Sequence, residues 1–116
     1  MIGRKHRFHG HGSLRFVYAQ GKTVRTNVVA IRIVKNSRRS DYRVAVVVSK
    51  KISKSAVVRN RIRRRLYEQV RLQEASIPGA VDLVLTVYSD QIATMEAHEL
   101  EKTVAKLLTQ AAEVTA

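Results

Sequence analysis

The chain has 116 residues, 45% of them apolar, no cysteine and a net charge of +13. That length and composition suit one globular domain with a single modest core, and the missing cysteines exclude disulfides and thiolate-ligated metals. No run approaches the roughly 18 apolar residues of a membrane span, and the basic start MIGRKHRFHGHG lacks the apolar stretch of a secretory signal, so the expected compartment is the cytoplasm, away from membranes.

Charge is segregated along the chain. Residues 1–71 hold 20 Lys/Arg against two acids, Asp41 and Glu68, a net +18; residues 72–116 hold two Lys/Arg against seven acids, a net −5. Such asymmetry within one small domain indicates a basic binding surface.

Residues 1–12 read as a flexible basic tail ahead of a domain over 13–116. Arg4, Lys5 and Arg7 are basic, and Gly10 and Gly12 discourage a helix. The spacing of His6, His9 and His11 invites a transition metal. With no Cys or carboxylate beside them, a tail tracking phosphate is the simpler reading. The stretch from Ser13 to Gln20 predicts a short helix, with Ser13 as N-cap and Gly21 as the stop. Leu14, Val17 and Tyr18 share one face of it, and Phe16 points elsewhere.

The chain then turns to strands. A short piece, Thr23 to Arg25, precedes a β-branched run from Val28 to Val34. Alternation places Val29, Ile31 and Ile33 on one face and Val28, Ala30 and Arg32 on the other. Residues 35–41 form a polar, basic loop, expected to be mobile. From Tyr42 to Ser49, Val44, Val46 and Val48 make one row; Arg43, Ala45, Val47 and Ser49 make the other. The row of small and basic side chains lets another chain approach closely, so the Ala30/Arg32 and Ala45/Ser49 rows are assigned to one open face. A one-residue slip in register would exchange the faces.

Ser49 to Arg71 reads SKKISKSAVVRNRIRRRLYEQVR and holds nine basic residues against Glu68 alone. Val58, Ile62, Leu66 and Val70 recur every four places and share one broad helical face. Asn60, Arg61, Arg64, Glu68 and Arg71 fall opposite, and Arg59 and Arg63 flank the apolar stripe, where long stems can pack. Ser53 or Ser55 caps the start. Like charges at i,i+4 repel by about 0.2–0.5 kcal/mol each, and solvated helices usually mix signs. A helix this one-sided is built to lie against a polyanion. Nucleic acid fits best, because guanidinium forks match phosphate oxygens.

Ser76-Ile77-Pro78-Gly79 is a turn signal. Val81 to Tyr88, apolar apart from Asp82 and Thr86, reads as a covered strand. The last helix is expected from Thr94 to Ala112, with Thr94 as cap and Leu100, Val104, Leu107, Leu108 and Ala111 as its buried stripe. No acid pair stands among polar neighbours for metal-assisted hydrolysis, and no P-loop occurs. A helix-turn-helix DNA binder is disfavoured because a β-run, not a short helix, precedes the basic helix. A protein-only nuclease lacks its acids.

The run Ser49-Lys50-Lys51, followed by Ala56-Val57-Val58-Arg59-Asn60-Arg61-Ile62-Arg63-Arg64, resembles the signature of bacterial ribonuclease P protein subunits, centred on Arg59-Asn60-Arg61. The resemblance extends from about Ser13 to Ala112. It implies a single α+β domain, order α-β-β-β-α-β-α, with a mixed four-stranded sheet and a left-handed βαβ crossover. It also implies a function: a catalytic RNA cleaves precursor tRNA with Mg²⁺, and the protein helps bind both, one protein per RNA.

By that resemblance Lys50, Lys51, Lys54, Arg59, Asn60, Arg61, Arg63, Arg64 and Arg65 would meet the catalytic RNA. Leu14, Tyr18, Arg32, Ala45 and Ser49 would line a cleft for the single-stranded 5′ leader. No catalytic residue and no protein-bound metal is implied. Leu14 and Arg32 stand where the family places aromatics, Tyr67 and Tyr88 where it places Arg, and the link Ile52-Ser53-Lys54-Ser55 is longer by one. The competing class is a ribosomal-type or chaperone RNA-binding protein with no role in tRNA processing.

Overall fold

A computed structural model describes residues 3–8 and 11–115. A 3-10 turn at Arg4–His6 leads into α1 (His11–Gln20), β1 (Lys22–Arg25), β2 (Val29–Lys35), β3 (Arg43–Val47), α2 (Ala56–Leu72), β4 (Val81–Val87) and α3 (Ala97–Thr115). Further 3-10 turns lie at Glu74–Ser76 and Asp90–Ala93. The strands form one mixed sheet in the order β1-β2-β4-β3. β2 is antiparallel to both β1 and β4, whereas β3 runs parallel to β4. A parallel neighbour needs a crossover, and α2 supplies it.

Register divides the sheet as the alternation predicts. Val24, Ile31, Leu85 and Val46 fall in one cross-strand row, with Ile33, Leu83 and Val44 beside it. These side chains join Ile62, Leu66 and Val70 of α2 and Leu100, Val104, Leu107, Leu108 and Ala111 of α3 in the main core. The opposite face carries the rows Ala30–Thr86–Val47, Arg32–Val84–Ala45 and Val34–Asp82–Arg43. α1 crosses that second face over β2 and β4. Val17, Ala30 and Val84 are buried there, outside the main cluster.

Several boundaries differ from the sequence reading. α1 begins at His11, so the expected boundary between tail and domain falls inside a helix. Docking on the sheet outweighs the low helix propensity of Gly12. The helix stops at Gly21, whose N–H donates to the Val17 carbonyl at 2.7 Å. A Cβ at Gly21 would lie 2.5 Å from that oxygen and 2.9 Å from Arg32 Cγ, so only glycine fits. α3 begins at Ala97 rather than Thr94. Ser89 caps a separate 3-10 turn that buries Ile92 and Ala93, and Glu96 then takes the cap position of α3, accepting from the Glu99 N–H at 3.0 Å. Those backbone donors hold the Glu96 carboxyl below its usual range. No helix among the described residues is long and apolar enough to cross a membrane.

The segment read as a flexible tail lies, over its described residues, along the edge of β3. Arg7 forms a parallel bridge to Val44. The His6 ring stacks on Tyr42 with centroids 3.9 Å apart, and its Nδ1–H donates to the Tyr42 carbonyl at 2.9 Å. The Tyr42 hydroxyl donates to Glu74 at 2.8 Å, and burial together with that carboxylate pushes its pKa up. The spacing of His9 and His11 falls on side chains outside those described.

Candidate nucleic-acid interface

α2 is fixed at its start by both candidate serines. Ser55 Oγ accepts from the Val58 N–H at 3.2 Å, and Ser53 Oγ accepts from the Ser55 N–H at 3.2 Å. Its apolar stripe is buried at Ile62, Leu66 and Val70, which turns the opposite face outward. The nine residues assigned to the catalytic RNA then separate into two groups.

Three arginines are engaged with the protein's own carbonyls. Arg59 Nη1 donates to Ser53 O at 2.8 Å and ties the β3–α2 link to the helix. Arg65 donates to Ile92 O and Met95 O, both at 2.6 Å, closing the turn before α3. Arg63 donates to Asn60 Oδ1 at 2.9 Å and reaches Val48 O at 3.5 Å. Asn60 therefore orients a neighbouring arginine. By contrast Arg61 and Arg64 are exposed, as are Lys50, Lys51 and Lys54 on the link. None of these five forms an ion pair among the described residues. Val57, 76% exposed, begins the same outward stripe. The Glu68 carboxyl, hydrogen-bonded by Arg71, is held below its usual range.

The residues assigned to the leader lie on and beside the part of the sheet face that α1 leaves uncovered. Ala45, Val47 and Thr86 are half-buried there, and β3 runs on through exposed Ser49 to Lys50 and Lys51, so this face passes directly into the basic link. On α1, Leu14 is half-buried and Tyr18 is 44% exposed. Arg32 lies on the predicted face, but its guanidinium is turned to α1. Nε donates to Val17 O at 3.2 Å, Nη2 to Tyr18 O at 2.5 Å and Nη1 to Thr23 Oγ1 at 3.2 Å. It holds the carbonyl end of the helix, where a cation is favoured.

Two features escaped the sequence reading. Arg43 and Asp82 form a buried ion pair across β3 and β4, Nε to Oδ1 at 2.9 Å and Nη2 to Oδ2 at 2.8 Å. Phe8 lies against the Arg43 guanidinium, 4.6 Å from carbon to ring centroid. An acid opening an apolar strand was the available signal for the pair; nothing in the spacing placed Phe8.

The sequence profile of the family described as Ribonuclease P matches residues 2–112. The chain belongs to the ribonuclease P protein family. It is 38% identical over 92 residues to the ribonuclease P protein component of Caldanaerobacter subterraneus subsp. tengcongensis, covering 79% of this chain and 77% of that one. It is 35% identical over 98 residues to that of Clostridium novyi, covering 84% and 85%. The fold is similar to the Staphylococcus aureus RNase P protein, with a TM-score of 0.80 at 22% identity over 91% of this chain and 94% of that one. It is also similar to the Thermotoga maritima RNase P protein, with a TM-score of 0.74 at 20% identity over 84% and 89%. Family membership and fold thus agree with the expectation drawn from Arg59-Asn60-Arg61, including the order α-β-β-β-α-β-α.

Proposed function

We propose that this chain is the RNA-binding protein component of ribonuclease P, a tRNA-processing endoribonuclease, and that it grips both the catalytic RNA and its substrate. The observation that carries this reading is the continuous surface running from the Ala45 floor through Ser49, Lys50, Lys51 and Lys54 to Arg61 and Arg64. A small floor next to uncompensated cations admits single-stranded RNA at one end and phosphate of a structured RNA at the other.

In this reading the five exposed cations neutralise phosphates of the catalytic RNA. Arg59, Arg63, Arg65 and Asn60 hold the helix and link in the geometry that presents them. Tyr18, Leu14, Ala45 and Ser49 contact the 5′ leader of precursor tRNA, and Arg32 positions α1 as the wall of the cleft. The RNA carries the hydrolytic chemistry. Mg²⁺ takes oxygen ligands; on this surface Glu68 is engaged by Arg71 and the Asn60 amide oxygen by Arg63, and the described residues hold no cluster of three or more metal-ligating side chains. The reading assigns it to RNA phosphates, with one protein per RNA and the cytoplasm as the place of work.

The competing ribosomal or chaperone reading has no observation in its favour. Competition binding separates the two. The chain should hold a ribonuclease P RNA against excess ribosomal RNA, with affinity falling steeply in salt by counterion release. Equal affinity for both RNAs would overturn the proposal.

A further inference from the structure

Beyond the cleft, the turn between β2 and β3 is built rather than loose. Asn36 Nδ2 donates to Asp82 Oδ2 at 2.9 Å, its Oδ1 accepts from the Arg38 N–H at 3.3 Å, and its carbonyl accepts from the Arg39 N–H at 3.1 Å. Its own N–H donates to Ala80 O at 2.9 Å. Arg38 and Arg39 therefore leave from a backbone anchored to β4. Together with Lys35, Arg43 and Phe16 of α1 they surround an open cavity of about 650 Å³. That size lies within the range of small-ligand sites.

The chemistry of this cavity is one-sided. Phe16 is 44% exposed although it is a large apolar side chain. Lys35, Arg38 and Arg39 are exposed and form no ion pair among the described residues. No acid lines it: Asp82 beneath is buried and held by Arg43 and Asn36, and Asp41 of the same loop lines a different cavity with Lys5 and His6. An accessible ring beside three cations suits one nucleotide, with the base on the ring and the flanking phosphates on the cations. Arg43 stands two positions from Ala45 on the same face of β3, so the cavity extends the cleft floor.

We propose that this cavity takes a further nucleotide of single-stranded RNA leaving the cleft, with Phe16 as its stacking platform and Lys35, Arg38 and Arg39 holding its phosphates. The proposal rests on the leader-binding reading above. The test uses the reconstituted complex of ribonuclease P RNA with the full chain, and precursor tRNAs whose leaders are shortened one nucleotide at a time. With the unsubstituted chain, affinity rises in a step when the leader becomes long enough to reach the cavity. Phe16→Ala removes that step, a loss on the order of tenfold. Phe16→Tyr retains it, Arg38→Ala with Arg39→Ala reduces it, and affinity for the shortest leaders is unchanged in all three.

An intact step in Phe16→Ala overturns the proposal, as does an equal loss at every leader length. If the unsubstituted chain itself gives no dependence on leader length, the cleft assignment fails, and the cavity proposal falls with it.

Discussion

The Val46 N–H donates to the Tyr67 hydroxyl at 3.2 Å, so the basic helix is pinned to the edge of the sheet. Other groups along that edge are met as well: His6 serves Tyr42 O, Arg7 bridges Val44 and Arg63 reaches Val48 O. An edge strand covered in this way is a poorer template for pairing with another chain. Tyr67→Phe keeps the ring under Arg7, whose guanidinium carbon lies 5.9 Å from its centroid, and removes only the acceptor. The variant should lose about 1 kcal/mol, read as a lower urea midpoint, with affinity for the catalytic RNA unchanged.

Asp82 is fully buried and receives both Arg43 and Asn36. Asp82→Ala removes the carboxylate that offsets a buried guanidinium, at a cost of about 3–5 kcal/mol. That is a large share of a small domain's stability, roughly 5–15 kcal/mol. Replacing Arg43 and Asp82 together by apolar residues of similar volume should recover most of the loss. Chemical denaturation of both variants beside the unsubstituted chain checks this, and a double variant no better than Asp82→Ala would count against it.

The arginines of α2 should separate by phenotype. Arg61→Ala and Arg64→Ala leave the thermal midpoint in place, weaken RNA affinity, and each lower the slope of log affinity against log salt by about one. Arg65→Ala does the reverse: its carbonyl partners Ile92 and Met95 lose their donors, and the midpoint falls. Titrations at several salt concentrations beside thermal melts decide the matter.

Glu96 gives the acid limb of stability a defined sign. Its carboxyl is depressed in the folded chain by the backbone N–H groups of His98 and Glu99. Its contribution is therefore fully present above the unfolded value of 4.5 and is lost as pH falls through the lower folded value. Urea midpoints for the unsubstituted chain and Glu96→Gln should differ near neutrality and converge in acid. A constant difference across the range would contradict the capping role.

What the sequence disclosed was set by period. The four-residue recurrence of Val58, Ile62, Leu66 and Val70 and the alternation through Val44 and Val46 located α2, β3 and both faces of the sheet, because burial imposes those periods directly. It did not disclose how a long polar side chain is used. Arg32 is assigned to the leader cleft and Arg65 to the catalytic RNA, yet both donate to carbonyls brought near only by folding, and Arg43 finds its acid 39 residues away. The start of α3 was set at Thr94 because its hydroxyl suits a cap, but Thr94 closes the preceding 3-10 turn, its N–H donating to Gln91 O at 3.1 Å, and Glu96 caps the helix instead. Of the candidate site, the outward stripe of α2 and the half-buried Ala45 row of the sheet were legible; the contacts of Phe8 and the anchoring by Asn36 depend on distant partners and were not.

The central claim is that this chain supplies grip to an RNA that performs the cutting. Cleavage of precursor tRNA by a ribonuclease P RNA at limiting Mg²⁺, with and without the chain, measures it. The account predicts that adding the chain raises cleavage of precursor tRNA, and that the gain shrinks when Arg61 and Arg64 are both alanine. Cleavage unchanged by the chain, or cleavage by the chain with no RNA subunit present, would contradict it.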